Sequence, residues 1–389
     1  MRNPKGCWLE CAAAVLAIFC SIGLNVNTFA VYIPYLTKLL ALTPNQSSGF
    51  LLVRSLCSVC GVYLAKHYYD KLDIRLGYTL ALLMSSVALL LYSQVAGFGQ
   101  LCLAAAISGL SYGLGGMYPV AILIHRWFPY HEGLAMGICS ASSGLALTIT
   151  APPITALIER FSLQVAMYTE LGFFLLCAVI CFLLLKNYPE EPLHFTSRPK
   201  EVRHKLRLNV MFFALMAIGI MGGSFSFISV HYTKEGLDPY QVSTIISIIG
   251  ICLVGGKFLL GALVDLWGGY RANWLFLSLA IASFILFSSG SSAGYPVAIM
   301  AGVLYGVGDS LATLGVTIYA RDLSKPDTYA ATQQQFQFAY MLGVTVCTLI
   351  PGPIATVTGS YRGFFLIVTL FIVFATIVIQ RAYLKVRRR

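Results

Sequence analysis

Charged side chains are scarce in this sequence of 389 residues, with 26 Lys or Arg and 15 Asp or Glu, 11% together. Soluble domains carry about 25%. With 58% hydrophobic residues, the chain has too little polar surface to cover a globule, which excludes a soluble fold. Catalytic motifs are missing as well. There is no GxSxG, no HExxH and no Walker phosphate loop, so neither hydrolase chemistry nor ATP-driven transport has support. The six histidines are scattered. Cys57 and Cys60 form a CxxC inside an apolar stretch, without a second pair or nearby histidines, and read as small apolar filler rather than a metal or redox site. No cofactor and no metal are expected, and the chain does not read as an enzyme.

What is present is a series of long apolar runs. Backbone polar groups in lipid must be satisfied internally, which only helices and closed barrels achieve. A barrel would show short alternating segments, whereas these runs are continuous and each is long enough to span a bilayer. The expected fold is therefore an all-α membrane protein with twelve spans: 10–35, 47–66, 74–95, 99–125, 133–158, 162–185, 208–232, 240–264, 273–290, 294–319, 330–355 and 362–384. A basic, proline-containing stretch at 186–207 divides them into bundles of six, residues 1–185 and 208–389.

The net charge of +11 could point to nucleic acid, but its placement points to topology instead. With both termini cytoplasmic, inner segments hold twenty Lys or Arg and outer segments four. That is a strong positive-inside signal. The expected setting is the cell (plasma or inner) membrane, with no nucleic-acid partner. The N-terminal apolar run is too long for a signal peptide and is kept as the first span.

The two halves resemble each other. Span 4 contains Gly109, Tyr112, Gly113 and Gly115, and span 10 contains Gly302, Tyr305, Gly306 and Gly308 at the same spacing. Span 5 has Gly144 and Pro152, and span 11 has Gly343 and Pro351. Parallel repeats of this kind place a substrate site near mid-membrane at their interface. Recurring small residues can also serve helix packing alone.

One stretch, Leu253–Arg271, organises the rest. An apolar span with a single lysine, Lys257, runs into a polar turn carrying Gly261, Asp265, Gly268 and Arg271. A weaker copy, with Asp70 and Arg75, follows span 2. The turn, the twelve spans and the two halves resemble the major facilitator superfamily over essentially the whole chain. A narrower stretch runs from Tyr118 through Arg126-Trp127-Phe128-Pro129 to Gly133-Leu134-Ala135-Met136-Gly137-Ile138. It resembles the span 4–5 signature of the oxalate/formate antiporters and their monocarboxylate transporter relatives. In that group an arginine four residues before the motif glycine faces the substrate carboxylate, and Lys257 stands four before Gly261. Lysine keeps the charge but loses the bidentate fork. His131 and Glu132 stand where the family usually has basic residues, and span 11 lacks the lysine of the oxalate carriers. One cation in the second half favours a monoanion over a dicarboxylate.

The resemblance thus implies a monomeric secondary transporter of a small organic anion, driven by a proton or a counter-anion and working by alternating access in the lipid bilayer. A carrier of a drug, sugar or siderophore, or a membrane sensor that has lost transport, are the alternatives. A lysine within a span costs about 2.5–3.5 kcal/mol on insertion scales and so faces a cavity or a partner, unless it snorkels to the interface. Lys257 is the substrate-carboxylate candidate because the resemblance places it at the position of the family's arginine and glycines flank it. Arg54 in span 2 is a substrate or gate residue, or pairs with Glu170 in span 6. Asp309 stands where the first half has Gly116. An isolated carboxylate there must be protonated or paired, so Asp309 is a candidate for proton coupling, for a salt bridge to Lys257 or for packing, with Glu170 the second coupling candidate. Asn25, Asn27, Tyr118, Gln334 and Gln337 are the polar residues expected to line the cavity. Asp70, Arg75, Gly261, Asp265, Gly268 and Arg271 are expected to gate or to hold the cytoplasmic edge.

Overall fold

The computed structural model describes residues 6–128, 132–186, 208–289, 294–323 and 329–387. Its described elements are all helical, and twelve of them are long and apolar enough to cross a membrane. We number these spans α1 (Cys7–Leu39), α2 (Pro44–Ala65), α3 (Ile74–Ser93), α4 (Phe98–Ile124), α5 (Ala135–Arg160) and α6 (Leu163–Leu184). The second set is α7 (Val210–Lys234), α8 (Pro239–Trp267), α9 (Gly269–Ser289), α10 (Tyr295–Ala320), α11 (Gln335–Thr358) and α12 (Arg362–Lys385). The contact pattern separates two compact units, 1–195 and 196–389. Of the expected linker, only Lys186 lies among the described residues.

Each unit is built by the same close approaches. Gly109 and Gly113 of α4 face the backbone of Arg54 and Ser58 in α2, and a Cβ on either would run into a carbonyl there. Gly306 of α10 meets Ile249 of α8 in the same way, and an added Cβ would lie 2.6 Å from the Ile249 carbonyl oxygen. Gly23 of α1 packs on Ala146 of α5, and Gly219 of α7 on Tyr340 and Gly343 of α11. Lipid offers no hydrophobic drive between helices, so backbone approach through small residues supplies the packing energy instead. The start of α2 and the start of α8 are also alike. Thr43 with Gln46, and Asp238 with Gln241, form capping boxes, with Pro44 and Pro239 at the first helical position.

Three departures from the expected elements bear on function. First, the polar turn is much shorter than the motif suggests. The helix carries on past residue 264 to Trp267, so Gly261 and Asp265 belong to its last turns and Arg271 to the first turn of α9. The connection is Gly268 alone, at φ 79°, a conformation that an L side chain resists. In the first unit Asp70 likewise remains helical, since the α2 helix extends to Lys71. Second, α1 is wound as a π-helix from Phe19 to Thr28 and α10 from Leu311 to Gly315. Third, α4 breaks at Gly116 (ψ −143°) between Gly115 and Met117.

Candidate functional site

In the second unit the candidate site forms where α8 crosses α10. Gly256 lets the helices touch: a Cβ there would lie 3.0 Å from the Cα of Val307 and would strike the Ser310 hydroxyl. Ser310 donates to the carbonyl of Leu253 at 3.4 Å. Lys257 and Asp309 are the neighbours of these two contact residues, and each feels the other's charge. Because α8 runs on to Trp267, Lys257 lies ten residues, about 15 Å, from that end. It is 6% exposed, so snorkelling from that depth is a poor account of it.

Asp309 closes the regular part of α10, where its amide still bonds Tyr305 at 2.7 Å. The π-turn begins two residues later. Such turns disturb the helix ladder and are frequent at functional sites. Oδ1 of Asp309 is buried and has no hydrogen-bond partner among the described residues. A buried acceptor left unmatched costs about 1–3 kcal/mol. Tyr305, fully buried one turn earlier, packs between Phe284 and Phe287 of α9 and stacks on Phe225 of α7.

The first unit has its own buried charges, arranged differently. The Arg54 guanidinium donates to the backbone carbonyl of Asn25, inside the π-helical part of α1, and lies 4.5 Å above the Phe29 ring. Glu170 accepts the Tyr32 hydroxyl at 2.7 Å. Arg54 and Glu170 thus act on each other through space while each takes a neutral partner of its own. Asn25 is pinned twice to Ser108 of α4, donating to its carbonyl at 3.2 Å and accepting its hydroxyl at 2.7 Å. Asn27 donates to the Ser143 carbonyl of α5 at 3.2 Å. These amides serve contacts between helices of one bundle.

The other expected residues are more dispersed. Tyr118 is 37% exposed, with its ring 6.3 Å from that of Tyr69. Gln337 is half-buried on α11, and the side chain of Gln334 lies outside the described residues, as do those of His131 and Glu132. Asp70, Asp265 and Arg271 are exposed. Arg75 donates to the Phe182 carbonyl and sits 4.1 Å over its ring, tying α3 to α6. In the Arg126–Pro129 signature, Trp127 donates to the Lys186 carbonyl at 3.1 Å, and Pro129 lies outside the described residues.

Sequence reasoning missed several participants. Glu10 is 2% exposed and accepts the Lys186 amide at 3.1 Å, which no motif announces. His231 is fully buried between the rings of Tyr232 and Phe365, at 5.0 and 4.9 Å. No motif marks Ser108 or Ser310, and the helix crossings make them hydrogen-bond partners.

Twelve spans in two like bundles, each with buried charge, define a multi-pass membrane carrier of small solutes. The model of the Major Facilitator Superfamily matches residues 15–348, and the chain belongs to that family. It is a transporter with an alternating-access fold, not an enzyme. Monocarboxylate transporter 12 of Homo sapiens is 21% identical over 425 residues, covering 98% of this chain and 81% of that protein. The Xenopus laevis protein of that name is 31% identical over a shorter stretch, 36% of this chain and 30% of its own length. Among solved structures, the nucleoside transporter NupG superposes with a TM-score of 0.73 at 15% identity, covering 99% of this chain and all of its own. A bacterial homologue of the human lysosomal transporter Spinster gives 0.66 at 14%, covering 98% of both chains. Likeness at these identities speaks for the fold alone.

Proposed function

We propose that this protein carries a small organic monoanion, a monocarboxylate, by alternating access, as a monomer, with transport coupled to a proton or to a second anion. The observation that carries the proposal is that buried Lys257 and Asp309, whose Oδ1 has no hydrogen-bond partner among the described residues, sit at one crossing of α8 and α10 and feel each other's charge. Lys257 binds the carboxylate as a point charge, which suits a monoanion because no planar fork is required. In the empty site Asp309 balances Lys257. When the anion arrives it takes over that role, and Asp309 then needs a proton, since two buried anions against one cation leave a charge uncompensated. Arg54 and Glu170 form a gate in the first unit. The Arg54 guanidinium is parked on the Asn25 carbonyl and is released if α1 changes its winding.

The monocarboxylate transporters among the relatives favour this substrate class over a neutral solute. The basic residues at 66–75, at 186–207 and near the C-terminus favour the cytoplasmic side for both termini. The test is uptake of radiolabelled short-chain monocarboxylates into proteoliposomes, with and without an inward proton gradient. Saturable uptake, competed by other monocarboxylates and not by nucleosides or sugars, is the expected result. Uptake of neutral solutes alone would reverse the assignment.

A further inference from the structure

A groove outside this site lies within the first unit, beside the crossing of α2 and α4. Gly61, Gly109 and Gly113 hold the two helices at backbone contact over the middle of their length. Past that crossing α4 breaks at Gly116 and resumes as Met117–Trp127, while the α2 helix goes on to Lys71. Beside the crossing, before the break, lies a groove of about 380 Å³ lined by Leu64, His67, Tyr68, Lys71, Leu72, Leu110 and Leu114. That size falls within the range of small-molecule sites, about 300–1,000 Å³.

The polar groups of its walls are mostly spent. The Tyr68 hydroxyl donates to the Gly77 carbonyl at 2.9 Å, and Tyr69 caps the Leu114 carbonyl next to the break at 3.1 Å. That leaves His67 and Lys71, both exposed and four residues apart, hence on one helical face. Asp70 is exposed too and stands three residues from His67, but it is not among the residues that line the groove. Arg75 is committed to Phe182. Leu64 lies seven residues from Lys71, which is about 10 Å along the helix. The groove therefore passes from two basic side chains at its mouth to an apolar floor over the distance that separates a lipid headgroup from its acyl chains.

We propose that this groove binds an anionic glycerophospholipid from the leaflet on the side of the 66–75 turn. Lys71 and His67 hold the phosphate, and an acyl chain lies on Leu64, Leu110 and Leu114. The second unit supplies a contrast. A groove of about 470 Å³ between α7 and α12, lined by Phe213, Met216, Ile220, Leu370 and Phe374 among others, has no ionisable residue in its lining. It gives a headgroup nothing to bind. The proposal rests on the membrane-spanning fold and not on the transported solute.

The test is native mass spectrometry of the full chain in detergent, titrated with phosphatidylglycerol or phosphatidylcholine of matched acyl chains. We expect one bound phosphatidylglycerol per chain, with about a fivefold preference over phosphatidylcholine, the size of effect that one basic residue gives at a membrane surface. The double variant His67→Gln, Lys71→Gln should lose the preference with an unchanged melting temperature. Equal retention of both lipids by the parent, or a preference that survives in the variant, overturns the proposal. Should the variant fail to fold, a photoreactive phosphatidylglycerol on the parent decides. Labelling at 64–72 or 110–114 supports the site, and labelling confined to other segments refutes it.

Discussion

Ser310 of α10 donates to the Leu253 carbonyl of α8 at 3.4 Å, one turn before Lys257 and one residue after Asp309. This contact brings a cation and a carboxylate, 52 positions apart in the chain, to one helix crossing. Hydrogen bonds to charged groups are worth about 1.5–3 kcal/mol. Lys257→Ala should therefore raise the apparent KM for a monocarboxylate by one to two orders of magnitude, about ten- to a hundredfold. Lys257→Arg should recover part of it, because charge is kept while the head is larger. Initial uptake rates in proteoliposomes, as a function of substrate concentration, measure both. An unchanged KM in the alanine variant would mean that Lys257 only balances Asp309.

The glycine crossings make a stability prediction that does not depend on substrate. A Cβ at Gly109 would enter the Arg54 carbonyl, and one at Gly343 the Met216 carbonyl. Gly109→Ala and Gly343→Ala should each cost about 1–3 kcal/mol, the range for overpacking, and lower the melting temperature in detergent. Gly137→Ala, where a Cβ meets nothing within 4 Å, is the matched control and should melt like the parent.

How far the sequence announces this architecture depends on the range of the interaction. Twelve spans, two halves and the Gly109–Gly302 correspondence are written in apolar runs and spacings, because lipid enforces them locally. Lys257 was legible because a lysine in an apolar helix calls for a reason, and so was Asp309. Their meeting was one of three readings of Asp309, and the residues that make the crossing, Gly256 and Ser310, were not legible. The π-helical segments of α1 and α10 leave no simple signature; in α1 the Thr28 hydroxyl donates to the Gly23 carbonyl, five residues back, at 3.1 Å. Asn25 shows the same limit. An amide in a span must have a partner, but only the fold reveals that the partner is Ser108 and not a solute.

A pH effect on stability is expected at the connection between α7 and α8. Arg362 donates to both oxygens of Glu235, at 2.9 and 2.5 Å, and these hydrogen bonds, helped by Ser360, hold the carboxyl down from its ordinary 4.5 to about 2. A carboxyl so depressed contributes stability that is fully present above its unfolded value and is lost as pH falls toward the folded one. The pair is partly exposed, so its worth is at most about 1 kcal/mol. Melting temperatures of the parent and of Glu235→Gln should differ by a constant amount from pH 7 to 5. The gap should then shrink as the pH drops from about 4.5 toward 2. A constant gap down to pH 3 would place the stabilisation elsewhere.

The coupling assignment is the most exposed of these predictions. Asp309 stands where the first half has Gly116, so helix packing does not require a carboxylate there. Its buried Oδ1 has no hydrogen-bond partner among the described residues, and Lys257 is the cation that acts on it. If the anion displaces Asp309 from Lys257, the carboxylate must take a proton or remain buried and uncompensated, and breaking such a pair costs about 3–5 kcal/mol. Proton and substrate would then enter together. Asp309→Asn mimics the protonated state in shape and charge, so the variant should bind the anion and exchange it across the membrane at close to the parent rate. It should no longer accumulate substrate when a proton gradient is imposed. Uptake against a concentration gradient and counterflow at equal pH, measured in one proteoliposome preparation, separate the two activities. If the variant still accumulates substrate as the parent does, Asp309 has only a balancing role and the coupling proton resides on another group, for which Glu170 beside Tyr32 is the next candidate.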